Sequence, residues 1–193
     1  VGSEMCIRDS RKLYDYKHSF SKFSWSELRS VVICKIDGKL GDAEVISPFI
    51  HTLQTQFPNL EITVLCPPNI SEVYSEYLHV QHIIECSHRP QKSEIQNFSQ
   101  SIKNCDLYIT LEDKFRFHDY YIIHSIKPKH IAGINPSLKC IDILLLDYGN
   151  DVHIAEYFIY LLKLGGLQDE FIFRDYTPLC TTETMHSVSK FCH

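Results

Sequence analysis

The sequence has no CxxC pair, although it holds eight cysteines: Cys6, Cys34, Cys66, Cys86, Cys105, Cys140, Cys180 and Cys192. This spacing argues against the common zinc frameworks. Several of these thiols fall inside apolar, strand-like runs, where cysteine behaves as a small hydrophobe. Free thiols in a reducing compartment are the expectation. The eleven histidines form no HExxH motif, so no metal site is expected. There is no basic stripe, and the net charge of -5 argues against a nucleic-acid partner. No apolar run reaches the roughly 18 residues that cross a bilayer. The apolar core of a secretory signal is also absent. Peripheral contact with a membrane needs only a short basic patch and stays open. There is no internal repeat and no low-complexity tract.

What remains is 44% hydrophobic and 22% charged over 193 residues, enough for one domain with a real core. The first ten residues, VGSEMCIRDS, have no periodicity and read as a non-native leader, in which case the true N-terminus is missing or displaced. Residues 11–29 are polar and aromatic, with a short helix expected around Trp25–Arg29. From residue 30 onward apolar runs alternate with helical patterns. Strands are expected at 30–36 (SVVICKI), 60–66, 79–85, 105–111, 129–134 and 140–146 (CIDILLL), the last covered on both faces. Helices are expected at 42–57, 69–78, 93–103, 114–126 and 153–167, with Gly165-Gly166 stopping the last. Such alternation predicts a doubly wound, mostly parallel Rossmann-like α/β sheet of about six strands over residues 30–175. Residues 176–193 read as a tail or linker.

Ligands of open α/β sheets settle at the carboxyl ends of the strands. The first such end carries Asp37-Gly38-Lys39-Leu40-Gly41-Asp42. Gly38 and Gly41 allow a sharp turn and close approach of a ligand. The helix that follows offers free N–H groups and a positive dipole end. The stretch is neither GxGxxG nor a P-loop. Asp42 has two readings. It is a first-turn carboxylate favoured by the helix dipole, or it is a general base facing a cleft. In the second case the dipole lowers its basicity and desolvation by a ligand restores it. Asp37 reads as a solvated turn residue, and Lys39 as a turn residue that also suits an anion. Glu112 and Asp113, at a strand end, read as the start of the next helix or as carboxylates on the ligand side; Lys114 and Arg116 read as its solvated face or as contacts for an acidic acceptor; His153 reads as a helix cap. Asn135 and Asp147 follow strands and point to the same rim.

The stretch VVICKIDGKLGDAEVISPFIHTLQTQFPNLEITVLCPP resembles the opening of the heptosyltransferase family, glycosyltransferase family nine. The likeness rests on the strand VVICKI, the Gly41-Asp42 loop, Phe57-Pro58 closing the helix, and the strand EITVL. HVQHIIE, CDLYITLE, KHIAGI and HIAEYFIYLLKLGGL follow in the same order, so the resemblance spans about residues 30–170. It implies the N-terminal half of a two-domain GT-B architecture on the cytoplasmic side of the inner membrane. It further implies inverting, metal-independent transfer of a sugar, typically heptose from ADP-heptose, to a lipopolysaccharide-core or similar glycan acceptor. In the family the aspartate of the Gly-Asp loop is the proposed base, which is Asp42 here. Gly38, Lys39 and Gly41 would then lie on the acceptor side. The family's donor-binding residues belong to a C-terminal domain that this sequence does not contain, so the half alone is expected to be inactive. The loop departs from the small hydroxyl residues many members carry before the Gly-Asp, which leaves the acceptor open. A non-catalytic Rossmann-like binding domain, and a small enzyme using the loop for phosphate, are the rival readings.

Overall fold

The computed structural model describes residues 22–145 and 153–172. The leader at 1–10, Asp147 and the tail at 176–193 lie outside the described residues. The elements in chain order are β1 (Ser30–Cys34), α1 (Leu40–Gln56), β2 (Glu61–Cys66) and α2 (Pro68–Glu72), which runs into a π turn (Val73–Tyr77). They continue with β3 (His82–Glu85), α3 (Lys92–Ser99), β4 (Leu107–Thr110), α4 (Phe117–Ile126), β5 (His130–Gly133), β6 (Ile143–Leu144) and α5 (Ile154–Leu164). The strands form one sheet in the order β3-β2-β1-β4-β5-β6, and every neighbouring pair is parallel. The expected doubly wound parallel sheet is therefore present.

Alternation along the strands divides the core in two. Val31, Ile33, Ile62, Val64, Leu107 and Ile109 face α1, the π turn and α5, where Phe49, Leu53, Tyr74 and Phe158 pack. Val32, Leu65, Tyr108 and Ile131 face α3 and α4 with Ile95, Phe98 and Ile122. Cys34, Cys66, Cys86, Cys105 and Cys140 are free and buried in these layers. Burial pushes the Cys66, Cys86 and Cys105 thiols up to about 12, so they are inert toward nucleophilic chemistry near neutral pH.

Pro48 sits inside α1 and cannot donate to Glu44 O. The Ser47 hydroxyl donates to that carbonyl instead, at 2.7 Å, and the helix continues unbroken. α5 ends in a Schellman motif: Leu167 N–H bonds Leu162 O, Gly166 N–H bonds Lys163 O, and Gly166 has φ +93°. Gly165 has a separate role. Trp25 lies against it, buried to 1% exposure, and donates its indole N–H towards the carbonyls of Leu161 and Leu162. Phe23 and Trp25, from the polar segment before residue 30, thus contribute core side chains.

The sixth strand is shorter than its sequence suggests. Only Ile143 and Leu144 pair with β5, and Leu144 is 37% exposed, so CIDILLL is not a strand covered on both faces. The Asp142 carboxylate accepts the Ile131 N–H at 2.6 Å and lies 2.9 Å from His130 Nδ1. A side chain thereby occupies the place where strand pairing would begin.

At the amino ends of the strands, Asp106 joins β1 to β4. Its carboxylate accepts the backbone N–H groups of Arg29 and Ser30 at 2.8 and 3.2 Å, and Lys129 Nζ lies 2.6 Å away. Burial disfavours its charge, but the Lys129 contact and these N–H bonds outweigh that and hold the carboxyl below the usual range. A depressed folded value means the stabilisation is complete above the ordinary carboxylate range and is lost as pH falls through the folded value. The urea midpoint of the wild type should therefore fall more steeply between about pH 5 and pH 2 than that of Asp106→Asn. Parallel curves would show that Asp106 does not link pH to stability.

Candidate functional site

The strand order reverses between β1 and β4: from β1 the chain moves to β2 on one side and later returns to β4 on the other. The crevice at the carboxyl ends of these two strands is where such a sheet seats a ligand. A cleft of about 400 Å³ opens there, lined by Ile36, Asp37, Lys39, His88, Glu112, Arg116, His118 and Asp119. A larger groove of about 560 Å³ lies at the opposite, amino ends of the strands, beside Ser30, Thr63 and Lys103. The cleft at the carboxyl ends is the better candidate, because the loops and helix starts converge there.

The turn after β1 is built by Gly38, which has φ +70°. A Cβ on it would lie 2.9 Å from Pro67 Cγ, so both backbone conformation and space require glycine. The chain then enters α1 with Lys39 as N-cap residue, without a side-chain cap bond, and Asp42 in the first turn. Lys39 is exposed and sits on the cleft wall, with Nζ 3.9 Å from Asp37 Oδ2. Gly41 has nothing within 4 Å of where a Cβ would be. Its lack of a side chain therefore serves no packing need among the described residues.

Asp42 is 27% exposed, and its Oδ2 accepts a hydrogen bond from Lys35 Nζ at 2.8 Å. Partial burial raises its carboxyl, but the Lys35 bond, Asp37 and the Lys35 and Lys39 charges together hold it below the usual range. The dipole reading of a first-turn carboxylate fits this position. The cleft lining includes Asp37 and Lys39 but not Asp42, which is linked to Asp37 through the Lys35 ammonium. Asp37 is only 17% exposed, so it is not the solvated turn residue its sequence context suggested.

The opposite wall comes from the segment after β4. Glu112 and Asp113 do not start a helix; α4 begins at Phe117, and Glu112 lines the cleft. Burial, together with the charges of Asp119 and Asp37, raises its carboxyl. Asp119, in the first turn of α4, accepts the Arg116 N–H at 2.6 Å, half of a capping box. Burial nevertheless pushes it up to about 6. His118 Nε2 lies 3.5 Å from Asp119 Oδ1, and burial with the Arg116 and His88 charges pushes its imidazole down. His88 Nδ1 is 2.9 Å from Ile36 O, which ties the loop after β3 to the loop after β1. Asn135 donates to Asp113 O and so braces the loop after β4. His153 caps α5, as its spacing indicated, accepting the Ala155 N–H at 3.3 Å.

Sequence reading located the β1 side of this site and, as alternatives, Glu112 and Arg116 of its far wall, but not His88, His118 or Asp119. His88, from the loop after β3, and His118 and Asp119, at the start of α4, carry no motif, and only the sheet order β3-β2-β1-β4 brings them together. Among the described residues, no group of three or more His, Cys, Asp or Glu side chains is arranged to hold a metal ion. No helix among them is long and apolar enough to cross a membrane.

The sheet order, the all-parallel pairing and a polar cleft at the switch point define a Rossmann-like α/β unit of the kind found in GT-B glycosyltransferases. The particular likenesses are to a glycosyl transferase family 9 structure and to heptosyltransferase structures. The glycosyl transferase family 9 structure from Veillonella parvula is 16% identical, with a TM-score of 0.56 over 79% of this chain and 44% of that one. The E. coli heptosyltransferase WaaC with ADP is 15% identical, with a TM-score of 0.56 over 79% and 49%. E. coli ADP-heptose LPS heptosyltransferase II is 15% identical, with a TM-score of 0.52 over 86% and 51%. The chain thus spans about half the length of these proteins. No family model and no curated protein matches its sequence.

Proposed function

We propose that this chain is the N-terminal, acceptor-side half of a heptosyltransferase-like enzyme. The activity is inverting, metal-independent transfer of a sugar from a nucleotide donor to a lipopolysaccharide-core or similar glycan. The observation that supports this most is the half-length structural match to proteins described as heptosyltransferases, one of them with ADP bound. The location is cytoplasmic, with peripheral contact at the inner membrane, where a lipid-linked acceptor would be presented. A nucleotide sugar such as ADP-heptose is bound by a C-terminal half, and the present half alone turns over little or nothing.

In this reading Asp42 takes the proton of an acceptor hydroxyl. The freed oxygen pair attacks the anomeric carbon from the face opposite the diphosphate, which leaves with the bonding electrons. The charge growing on the leaving group is offset by donors of the other half. Gly38 shapes the turn, Lys39 contacts the acceptor, and Gly41 lets the sugar approach the helix N-terminus.

Titration of the chain with lipopolysaccharide-core oligosaccharides, followed by amide NMR, should perturb Gly38–Asp42 and the cleft-lining residues. No perturbation at millimolar ligand would overturn the acceptor-side assignment. Gly41→Ala sharpens the test. The added methyl meets open space in a helical turn, so stability should rise by about 0.5 kcal/mol. Acceptor affinity should nevertheless fall several-fold. Unchanged affinity in a stabilised variant would leave Gly41 with no part in binding and favour a non-catalytic Rossmann-like domain.

A further inference from the structure

Lys35 follows the last residue of β1 and is fixed at its base, its N–H donating to Leu65 O at 2.8 Å. Its side chain is 7% exposed, unusual for a lysine so close to a surface turn. The ammonium lies 2.8 Å from Asp42 Oδ2 and 3.2 Å from Asp37 Oδ1. Asp37 Oδ1 is itself buried and takes no directed hydrogen bond, so the Asp37 contact is ionic. Removing an ammonium from water costs several kcal/mol. One carboxylate would offset that cost in the resting state. The second adds to that offset and keeps the ammonium paired if the first loses its charge.

A general base loses its charge at the moment it works. When Asp42 takes a proton it becomes neutral, and a lone Lys35–Asp42 pair would leave a buried cation without a counter-ion. With Asp37 in place the ammonium stays paired throughout. We propose that Lys35, braced by Asp37, is a positioning residue that fixes the rotamer of Asp42 and supplies its counter-ion, with Asp37 holding Lys35 while Asp42 carries the substrate proton. This rests on the reading of Asp42 as the base. The other groups facing the cluster are Lys39 from the start of α1, Glu112 from the loop after β4, and the Tyr74 hydroxyl from the π turn. None of them reaches Asp42 as Lys35 does.

The test is a carboxyl-detected NMR titration of Asp42 in this chain. In Lys35→Met its titration should move up by about one to three pH units. In Lys35→Arg, which keeps the cation, it should stay low. An Asp42 titration in Lys35→Met that matches the wild type would overturn the proposal. Should Lys35→Met fail to fold, the wild type decides: the Lys35 15Nζ signal should respond at the pH where Asp42 ionises, and a flat signal would overturn the pairing. In the two-half enzyme, Lys35→Met should lower kcat, leave the acceptor KM near its wild-type value, and shift the acid limb of kcat/KM upward with Asp42. A moved Asp42 titration with unaltered transfer would overturn the base reading, and the catalytic use of the clamp with it, while the pairing itself stood.

Discussion

Asp42→Asn, placed in a protein that joins this chain to a donor-binding half, should lower the rate of sugar transfer by about 10²–10⁴-fold. The amide keeps the shape of the side chain and accepts the Lys35 N–H, so the fold should be unaffected. It cannot take a proton. Acceptor KM should change little, because the lost interaction belongs to the transition state. The pH dependence should change as well. Asp42 is held below the usual carboxylate range, so the free wild-type enzyme loses kcat/KM only at acid pH, as the carboxylate protonates. The variant should lose that limb. Steady-state transfer measured from about pH 2 to pH 8 checks both statements. A wild-type rate in Asp42→Asn would remove Asp42 as base and leave its carboxylate as a helix-dipole partner.

Trp25→Ala should cost about 3–5 kcal/mol of stability, the usual range for a large aromatic removed from a core. Its ring stacks on Phe57 at 6.1 Å and meets Phe49 and Phe23 edge-on at 5.9 and 5.5 Å. The indole N–H also serves the last-turn carbonyls of α5. Gly165→Ala should act in the same direction by another route. Its Cβ would lie 2.4 Å from Trp25 Cδ1, so the indole must move. The two changes share one contact, and the double variant should be destabilised by less than the sum. Chemical denaturation followed by circular dichroism measures all three. Additive losses would show that Gly165 is not there to admit the ring.

The sheet was legible in the sequence because a parallel strand buried on both faces is written as a continuous apolar run, and SVVIC is such a run. Helix α1 was legible from the spacing of Ile46, Phe49, Ile50 and Leu53, all buried as that spacing requires. What could not be read were the contributions of side chains paired at long range. Asp142 shortens β6 by bonding back to β5, and nothing in CIDILLL separates that aspartate from one facing solvent. Trp25 lies in a polar stretch, and its place is set by a glycine 140 residues later. In the cleft, the Gly38 turn and the first-turn Asp42 were readable because helix starts have local chemistry. The buried Asp37 was not, because its environment is made by Lys35 and by loops from β3 and β4.

The chain holds a single tryptophan, and that residue sits under the end of α5. Its emission is therefore an optical reporter for one event, the seating of α5 against the segment that precedes β1. A blue-shifted spectrum that turns red before the far-ultraviolet helix signal is lost would mark that clasp as the first part of the molecule to open.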